Sequence, residues 1–352
     1  MRNIQYEDFI QRVQAECDIV ALVSEYVSLK KKGRNFWGCC PFHNEQTPSF
    51  SVSPDKGFFY CFGCQTGGNA FNFLMKVDGL PFREAVEKVA QKIGIPIPEC
   101  ERSSADLLLE EQSKEHYRIN GMARDFFHSC LLNTSYGRGA LSYLCEKRGL
   151  DKSTLDLFKI GFAPDSWDKL TNAFTAKGVT KEILLSTGLV SERNSGDGCY
   201  DRFRNRIMFP ICDVRGRVIG FGGRVLDDSH PKYLNSQETM LFNKRRVLFG
   251  IEHAQRAIRD SGQAIVVEGY LDAITVFASG VHNVVASLGT AFTHEQGRII
   301  GRYAKEVVFA FDSDTAGQSA TLKALDIART LNLNPRAAMV PNGKDPDEFV
   351  RR

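Results

Sequence analysis

Two short pairs of soft ligands stand out in the N-terminal quarter of the chain. Cys40 and His43 lie in the string CPFH, Cys61 and Cys64 lie in CFGC, and 17 residues separate the pairs. Each spacing suits a tight turn that aims both side chains at one ion, and three thiolates with one imidazole match the preferences of Zn2+. Four protein ligands leave no open position, so the expected zinc is structural. Cys39 would leave three residues before His43, which makes Cys40 the better ligand. The competing reading is two unrelated pairs of buried cysteines. Cys17, Cys100, Cys130, Cys145, Cys199 and Cys212 have no ligand spacing and read as ordinary buried thiols.

A second chemistry is written near the C-terminal end, where acidic residues follow apolar strand-like runs. IVV runs into Glu268-Gly269, with Asp272 four residues on, and VVFAF runs into Asp312-Ser313-Asp314. A third cluster is Asp345-Pro346-Asp347-Glu348. In open α/β sheets the C-terminal strand ends are where ligands bind. Two aspartates two apart in an extended segment point the same way, and with Glu268 from a neighbouring strand they can share a hard cation. Oxygen ligands favour Mg2+ or Mn2+, and without cations so many carboxylates would oppose one another's ionisation. The competing reading is that each acid caps the helix after its strand.

The opposite charge lies between these sites. Residues 201–260 hold twelve Lys or Arg against seven acids, a local balance of +5 in a chain whose formal net charge is +3. A basic strip beside a carboxylate–metal centre is what phosphoryl or nucleotidyl transfer on a polyanion requires. Taken singly, each arginine reads as a solvated surface residue. GFGGR at 220–224 is no dinucleotide fingerprint, because Val225 stands where the third glycine belongs and the surroundings read as strand. Asn342-Gly343-Lys344 precedes Asp345 rather than Ser or Thr, so the P-loop pattern is absent and a motor ATPase is excluded.

Positioning these residues takes several kinds of element. Residues 4–27 have helical apolar spacing. FSV at 50–52 and FFYCF at 58–62, joined by SPDKG, predict a hairpin between the ligand pairs. Phe50, Phe58, Phe59 and Tyr60 on it, with Lys30, Lys31, Lys32, Arg34 and Lys56 nearby, are the types that stack on single-stranded bases and track phosphates, and about half of the rings are expected in the small unit's core instead. Helical patterns at 69–77 and 82–93 lead to a proline-bearing linker near 95–106. Residues 107–190 read as mainly helical, RIMFPICD and RVIGFGGRVL as antiparallel strands, and the chain from 262 onward as alternating strands and helices of a parallel α/β unit.

A chain of 352 residues with 43% hydrophobic and 25% charged residues has material for two or three domains, and a net charge of +3 excludes a polybasic tail or a disordered acidic activator. Ten cysteines in so long a chain suit a metal site in a reducing compartment better than a disulfide scaffold. Glu7, Asp8, Glu16 and Asp18 interrupt any signal-like start, and no apolar window approaches the ~18 residues of a membrane span, so a cytoplasmic protein without membrane contact is expected.

Taken together, CPFHNEQTPSFSV, YCFGCQTGGNAFNFLM, DRFRNRIMFPICD, VIGFGGRVL, PKYLNSQET, LFNKRRVLFG, VVEGYLDAI, FAFDSDTAGQSA and GKDPDEF resemble, in order, the N-terminal part of the DnaG family of bacterial replicative primases. The resemblance implies a multi-domain α+β chain. It would hold a zinc-binding domain at 1–102 with its zinc ribbon at about 36–66, a basic α+β subdomain at 107–260, an α/β Toprim catalytic subdomain at 261–345, and the start of a further helical region at 346–352. Glu268 matches the Toprim glutamate and Asp312 and Asp314 its aspartate pair, as the catalytic residues; Asp272, Asp345 and Asp347 match further metal-site acids. Arg202, Arg204, Arg224, Lys232, Asn235 and Lys244 sit where the family places its nucleic-acid and nucleotide groove. Ser313 departs from the glycine usual between the aspartates, which is tolerated where the backbone angle is ordinary. The family's members continue into a C-terminal domain that binds the replicative helicase, so helicase contact is not expected of this chain.

The implied activity is DNA-templated synthesis of short RNA primers from ribonucleoside triphosphates on a single-stranded template, with one structural Zn2+ and catalytic Mg2+ or Mn2+. Two rivals remain at this point. A Toprim topoisomerase or nuclease would need, for the former, a nucleophilic tyrosine beside the metal, and none of the ten tyrosines lies in a recognisable motif for it. A non-catalytic zinc ribbon that binds single strands would use the acids only as caps.

Overall fold

The computed structural model describes residues 2–351 except 44, 46, 79, 81, 98–103, 194–197, 228, 290 and 340–344. It divides the chain into two compact units, 1–107 and 108–352. Asn342 to Lys344 and half of the expected linker, residues 98–103, lie outside the described residues. No helix of the described residues is long and apolar enough to cross a membrane.

The first unit begins with α1 (Arg2–Glu16) and α2 (Ile19–Ser24). The single helix expected over 4–27 is broken here, because Asp18 leaves the helical conformation and its carboxylate caps α2, accepting from the N–H groups of Val20 and Ala21 at 2.9 and 3.0 Å. An antiparallel sheet follows, β1 (Lys30–Lys32), β2 (Asn35–Gly38), β3 (Phe50–Ser53), β4 (Phe58–Cys61) and β5 (Gly67–Gly68), in sequence order, closed by α3 (Ala70–Val77) and α4 (Phe82–Lys92). The predicted hairpin is β3–β4, with Phe50 opposite Cys61 and Val52 opposite Phe59. A unit this small fills its core with rings: Phe42, Phe50, Phe59 and Phe73 meet at centroid separations of 5.3–6.2 Å. Each fully buried Phe contributes roughly 1.5–3 kcal/mol by transfer from water.

The second unit opens with α5 (Ser104–Asn133), which already occupies the end of the expected linker, and α6 (Arg138–Ser142), which passes into one π-helical turn at Tyr143–Lys147. Then come α7 (Lys152–Leu157), β6 (Gly161–Ala163), α8 (Lys169–Thr175), α9 (Lys181–Ser186), β7 (Val190–Glu192), β8 (Cys199–Asp201), β9 (Arg206–Cys212), β10 (Val218–Val225) and β11 (Tyr233–Asn235). The remainder is α10 (Ile251–Ser261), β12 (Gln263–Val267), α11 (Tyr270–Ala278), β13 (Val284–Ala286), α12 (His294–Ile300), β14 (Glu306–Phe309), α13 (Thr315–Thr330), β15 (Asn334–Ala337) and α14 (Pro346–Val350). One sheet is antiparallel, β11-β10-β9-β6, and contains GFGGR inside buried strand β10. The other, β13-β12-β14-β15, is parallel, as the alternation of strands and helices requires. Its chain order reverses at β12, so the crevice between β12 and β14 is the position where such sheets bind ligands.

Packing shows no seam at 260/261. Phe209 of β9 stacks on Tyr270 of α11 with centroids 4.9 Å apart and planes 5° from parallel, and Phe249 meets the same tyrosine edge-on at 5.0 Å. These rings belong to one buried cluster that runs from Leu131 to Leu288. The residues of α14 are likewise part of the unit, since this helix packs on α11.

One buried acid makes the unit's stability depend on pH. Glu252, in the first turn of α10, faces Cys212, Asp213 and, at 3.6 Å, the Nε2 of His253, and its Oε2 has no partner. Burial pushes its carboxyl up to about 7, with Asp213 adding to the rise. A folded-state value above the unfolded ~4.3 means that the native state binds the extra proton in between, so the stabilisation is complete below the lower value and is lost as pH rises through the upper one. Thermal melts between pH 5 and pH 8 are therefore expected to show a falling midpoint for the second unit and a flatter profile for Glu252→Gln; an unchanged slope refutes this.

Candidate zinc and catalytic sites

The zinc candidates are brought together by the sheet of the first unit. Cys61 ends β4, Cys64 lies on the turn to β5, and Cys40 and His43 lie on the loop after β2. Their ligand atoms all lie within 4.8 Å of one another. A tetrahedron with bonds of ~2.3 Å has edges of about 3.8 Å; Cys40 Sγ and Cys64 Sγ are 3.8 Å apart, and Cys61 Sγ and His43 Nδ1 are 3.6 Å apart. Cys40 is buried and Cys39 exposed, as the choice of register requires. The donor set, spacing and geometry are those of a structural zinc site.

Glu45 escaped the sequence reading. Its Oε2 lies 3.1 Å from His43 Nε2, and its Oε1 accepts from the backbone N–H groups of Cys40 and Ser49 at 2.8 and 3.0 Å. A carboxylate on the far nitrogen fixes the tautomer of a metal-binding histidine and raises its basicity. Gly63 is needed for space, since a Cβ there would lie 2.5 Å from His43 Nε2.

Of the four rings named for stacking, Phe50 and Phe59 are in the core, while Phe58 is exposed and Tyr60 half-buried, the even split the small unit implied. Cross-strand register places Lys30, Trp37, Ser51, Tyr60 and Gly67 in one row on the outer face. Phe62, 63% exposed, stacks on Trp37 at 5.8 Å and meets Tyr60 edge-on at 5.0 Å, and Lys32 Nζ sits 6.0 Å from the Trp37 ring. Trp37 and Phe62 were missed; the alternation about Trp37 was the available signal.

In the second unit, Glu268 immediately follows β12 and Asp312 lies just beyond β14, at the C-terminal edge of the parallel sheet. Glu268 Oε1 accepts from the Asp312 N–H at 3.2 Å, so the two acids meet across adjacent strands. A cavity of about 270 Å³ is lined by the acids Glu268, Asp272, Asp312 and Asp345 and by the bases Arg148, Arg224 and Lys232, with Tyr233, Asn235 and Tyr270 among the other lining residues. Burial, then the charges of Glu268, Asp272, Asp345 and Asp314, push the Asp312 carboxyl up to about 7. Burial and the neighbouring Asp345 and Asp347 push Asp272 up to about 6, and burial also raises Glu268. Asp312 Oδ1 is buried without a partner. An orphaned carboxylate oxygen among acids that oppose one another's ionisation is what an all-oxygen cation site looks like in the absence of its ion, so these residues fit Mg2+ or Mn2+.

The capping reading is also correct for three acids. Asp314 is the N-cap of α13, accepting from the Gly317 N–H at 2.7 Å; Asp272 accepts from the Gly269 N–H at 3.1 Å; Asp345 caps α14 through the Glu348 N–H at 2.7 Å. Asp314 is exposed at the rim. Glu268 and Asp312 cap nothing. Asp347 is turned elsewhere: 1% exposed, it pairs with Arg148 and, at 2.7 Å, with Arg351. Gly317 is required beneath the acids, since a Cβ would lie 2.2 Å from the Asp312 carbonyl oxygen and 3.0 Å from Glu268 Oε1. Ser313 does not have positive φ, so the serine costs the loop nothing in backbone strain.

The basic candidates divide. Arg224, Lys232 and Asn235 line the cavity. Arg202 lies behind, donating to the Asn235 carbonyl at 3.2 Å. Arg204 stacks on Trp167 and Tyr200 at 4.0 and 5.2 Å, and Lys244 lies in a short 3-10 turn; neither is on the cavity wall. The expectation that each arginine is a solvated surface residue fails for Arg206 and Arg224, 7% and 8% exposed. Arg148 was not anticipated. Its Nε donates to Tyr143 Oη at 2.7 Å, Arg224 donates to the same oxygen, and one phenol thus gathers two guanidinium groups beside the acids.

Comparison with known proteins places each segment of the chain. Residues 5–105 match a CHC2 zinc finger model, 127–255 the N-terminal domain of the DNA primase catalytic core, and 265–350 a Toprim-like model. The DNA primase of Halalkalibacterium halodurans is 43% identical over 346 residues, covering 98% of this chain and 57% of its own, so the chain spans a little over half of that relative. The Aquifex aeolicus primase structure, comprising zinc-binding and RNA polymerase domains, is 36% identical with a TM-score of 0.63 and covers 97% of this chain and 82% of its own. A DnaG primase catalytic domain solved bound to single-stranded DNA is 39% identical with a TM-score of 0.62, covering 69% of this chain and 78% of its own. With the zinc ligands, the acids at the parallel sheet's edge and the three family segments in one order, the chain belongs to the DnaG family of bacterial DNA primases.

Proposed function

We propose that the chain makes short RNA primers on single-stranded DNA in the cytoplasm by metal-dependent nucleotidyl transfer. The observation that carries this reading is the single cavity that Glu268, Asp272, Asp312 and Asp345 share with Arg148, Arg224 and Lys232. In the reaction a primer 3'-oxygen forms a bond to the α-phosphorus of a ribonucleoside triphosphate, the bond to the β-phosphate oxygen breaks, and pyrophosphate leaves.

Glu268 and Asp312, with Asp272, Asp345 and the rim residue Asp314, would hold the Mg2+ or Mn2+. When bound, the cation supplies neutralisation of the triphosphate and activation of the 3'-hydroxyl. Arg224, Lys232 and Arg148 bind the anionic nucleotide and template backbone, and Asp347 fixes Arg148 in place rather than serving as a ligand. Arg202, Arg204 and Lys244 extend the cationic surface for nucleic acid. The outer face of the ribbon, with Trp37, Tyr60 and Phe62 beside Lys30 and Lys32, has the stacking rings and cations suited to template bases. Contact with the replicative helicase is expected of the family's C-terminal domain rather than of the residues described here.

The topoisomerase alternative loses ground at Tyr270. This residue, two positions after Glu268, is 3% exposed and its hydroxyl is committed to Asn235 Oδ1 at 2.6 Å, so it is not presented to a DNA phosphate. The purified chain, given single-stranded template, four ribonucleotides and Mg2+, is expected to incorporate labelled nucleotide and to leave supercoiled DNA unrelaxed. Template binding without incorporation would favour the non-catalytic reading.

A further inference from the structure

The glycines of the GFGGR string lie in a buried strand and not in a phosphate-cradling loop, yet the middle one has a use. Gly222 of β10 stands opposite Asn235 of β11 in register. A Cβ at 222 would lie 2.2 Å from both Cζ and Oη of Tyr270, so glycine opens the passage by which this tyrosine, at the start of α11, reaches across the antiparallel sheet. Its hydroxyl donates to Asn235 Oδ1 at 2.6 Å. Around it are the rings of Phe209 and Phe249, which offer no acceptor, and the residue is 3% exposed.

We infer that Tyr270 is a positioning residue that fixes the amide of Asn235, so that the carbonyl oxygen faces the core and the two N–H donors face the cavity, where they receive a phosphate oxygen of the incoming nucleotide. A free asparagine can present either end of its amide. Reversing this one would leave the tyrosine hydroxyl buried without an acceptor, a state proteins avoid. Asn235 shares the cavity wall with Arg224 and Lys232, so a donor presented there joins two cations and suits an anion. Tyr270 acts through Asn235, and its ring supports the core whether or not the hydroxyl is present. The inference rests on the nucleotide-binding reading above and assigns the residue that makes one wall of that site donor-only.

Binding of ATP with Mg2+ to the full chain, measured by calorimetry, and KM and kcat for ribonucleotide in primer synthesis test it, with thermal melts to check folding. Tyr270→Phe keeps the stacked ring and is expected to weaken nucleotide binding and raise KM roughly 3- to 10-fold, the scale of one hydrogen bond, with kcat changed by less than about two-fold. Added to Asn235→Ala, it has no further effect on binding. Asn235→Asp, whose second oxygen would face the phosphate, binds more weakly than Asn235→Ala. Wild-type binding that Tyr270→Phe leaves unaltered, a loss in kcat alone, or additivity with Asn235→Ala would overturn the inference while leaving the primase reading intact; a wild-type chain that binds no nucleotide would overturn both.

Discussion

Asp312→Asn is expected to lower primer synthesis by at least ~10²–10³-fold, the scale of losing one preorganised electrostatic group, while the protein melts at an unchanged or higher temperature. The two halves of the result have one cause. Asp312 is crowded by Glu268, Asp272, Asp345 and Asp314, and burial and these charges resist its ionisation. Its Oδ1 has no partner within the protein. An amide of the same shape removes the unfavourable charge and, with it, a hard ligand for the cation. The Asp312 N–H still donates to Glu268, because that bond belongs to the backbone. Melting curves of the metal-free proteins, beside labelled-primer assays in Mg2+, check both halves. A variant with full activity would remove Asp312 from the reaction; one that is inactive and markedly less stable would make the aspartate a structural residue.

Removing zinc is expected to have the larger structural effect. Cys40, Cys61 and His43 tie the β2 loop to the end of β4, and the ring-filled core of this unit lies directly beneath them. Structural zinc contributes on the order of 10–16 kcal/mol of apparent binding free energy in comparable small sites, more than a unit of this size retains as net stability. Chelation should therefore unfold the sheet, release one zinc per chain, and separate Trp37 from the Phe62 ring stacked on it, with a change in its fluorescence. The second unit has its own buried clusters and should keep its melting transition. Retention of the sheet's circular dichroism after complete zinc release would show that the rings alone suffice.

The zinc ligands were legible because each pair acts within one turn, and the hairpin between them is also local. Glu268, Asp312 and Asp314 stand out in the sequence because a buried parallel strand is a short apolar run, and the structure places Glu268 and Asp312 just beyond such strand ends. The cap and ligand readings competed in the sequence, yet in the structure Asp272, Asp314 and Asp345 each cap a helix while Asp272 and Asp345 also line the cavity. Distance along the chain hid the rest. Arg148 meets Asp347 across 199 positions, and Arg224 meets Tyr143 across 81, so no local pattern announces either contact. The pairing of Asp347 Oδ2 with Arg148 and Arg351 is hidden likewise, since adjacency to Asp345 announces neither partner.

The stacking of Phe209 on Tyr270 joins the antiparallel sheet that carries Arg224 to the helix that follows Glu268. A hinge between them would have to pull apart buried aromatic faces. Moving the sheet away from the helix would therefore cost the burial of both rings, so the cations and acids of the cavity are tied together by the core that lies behind them.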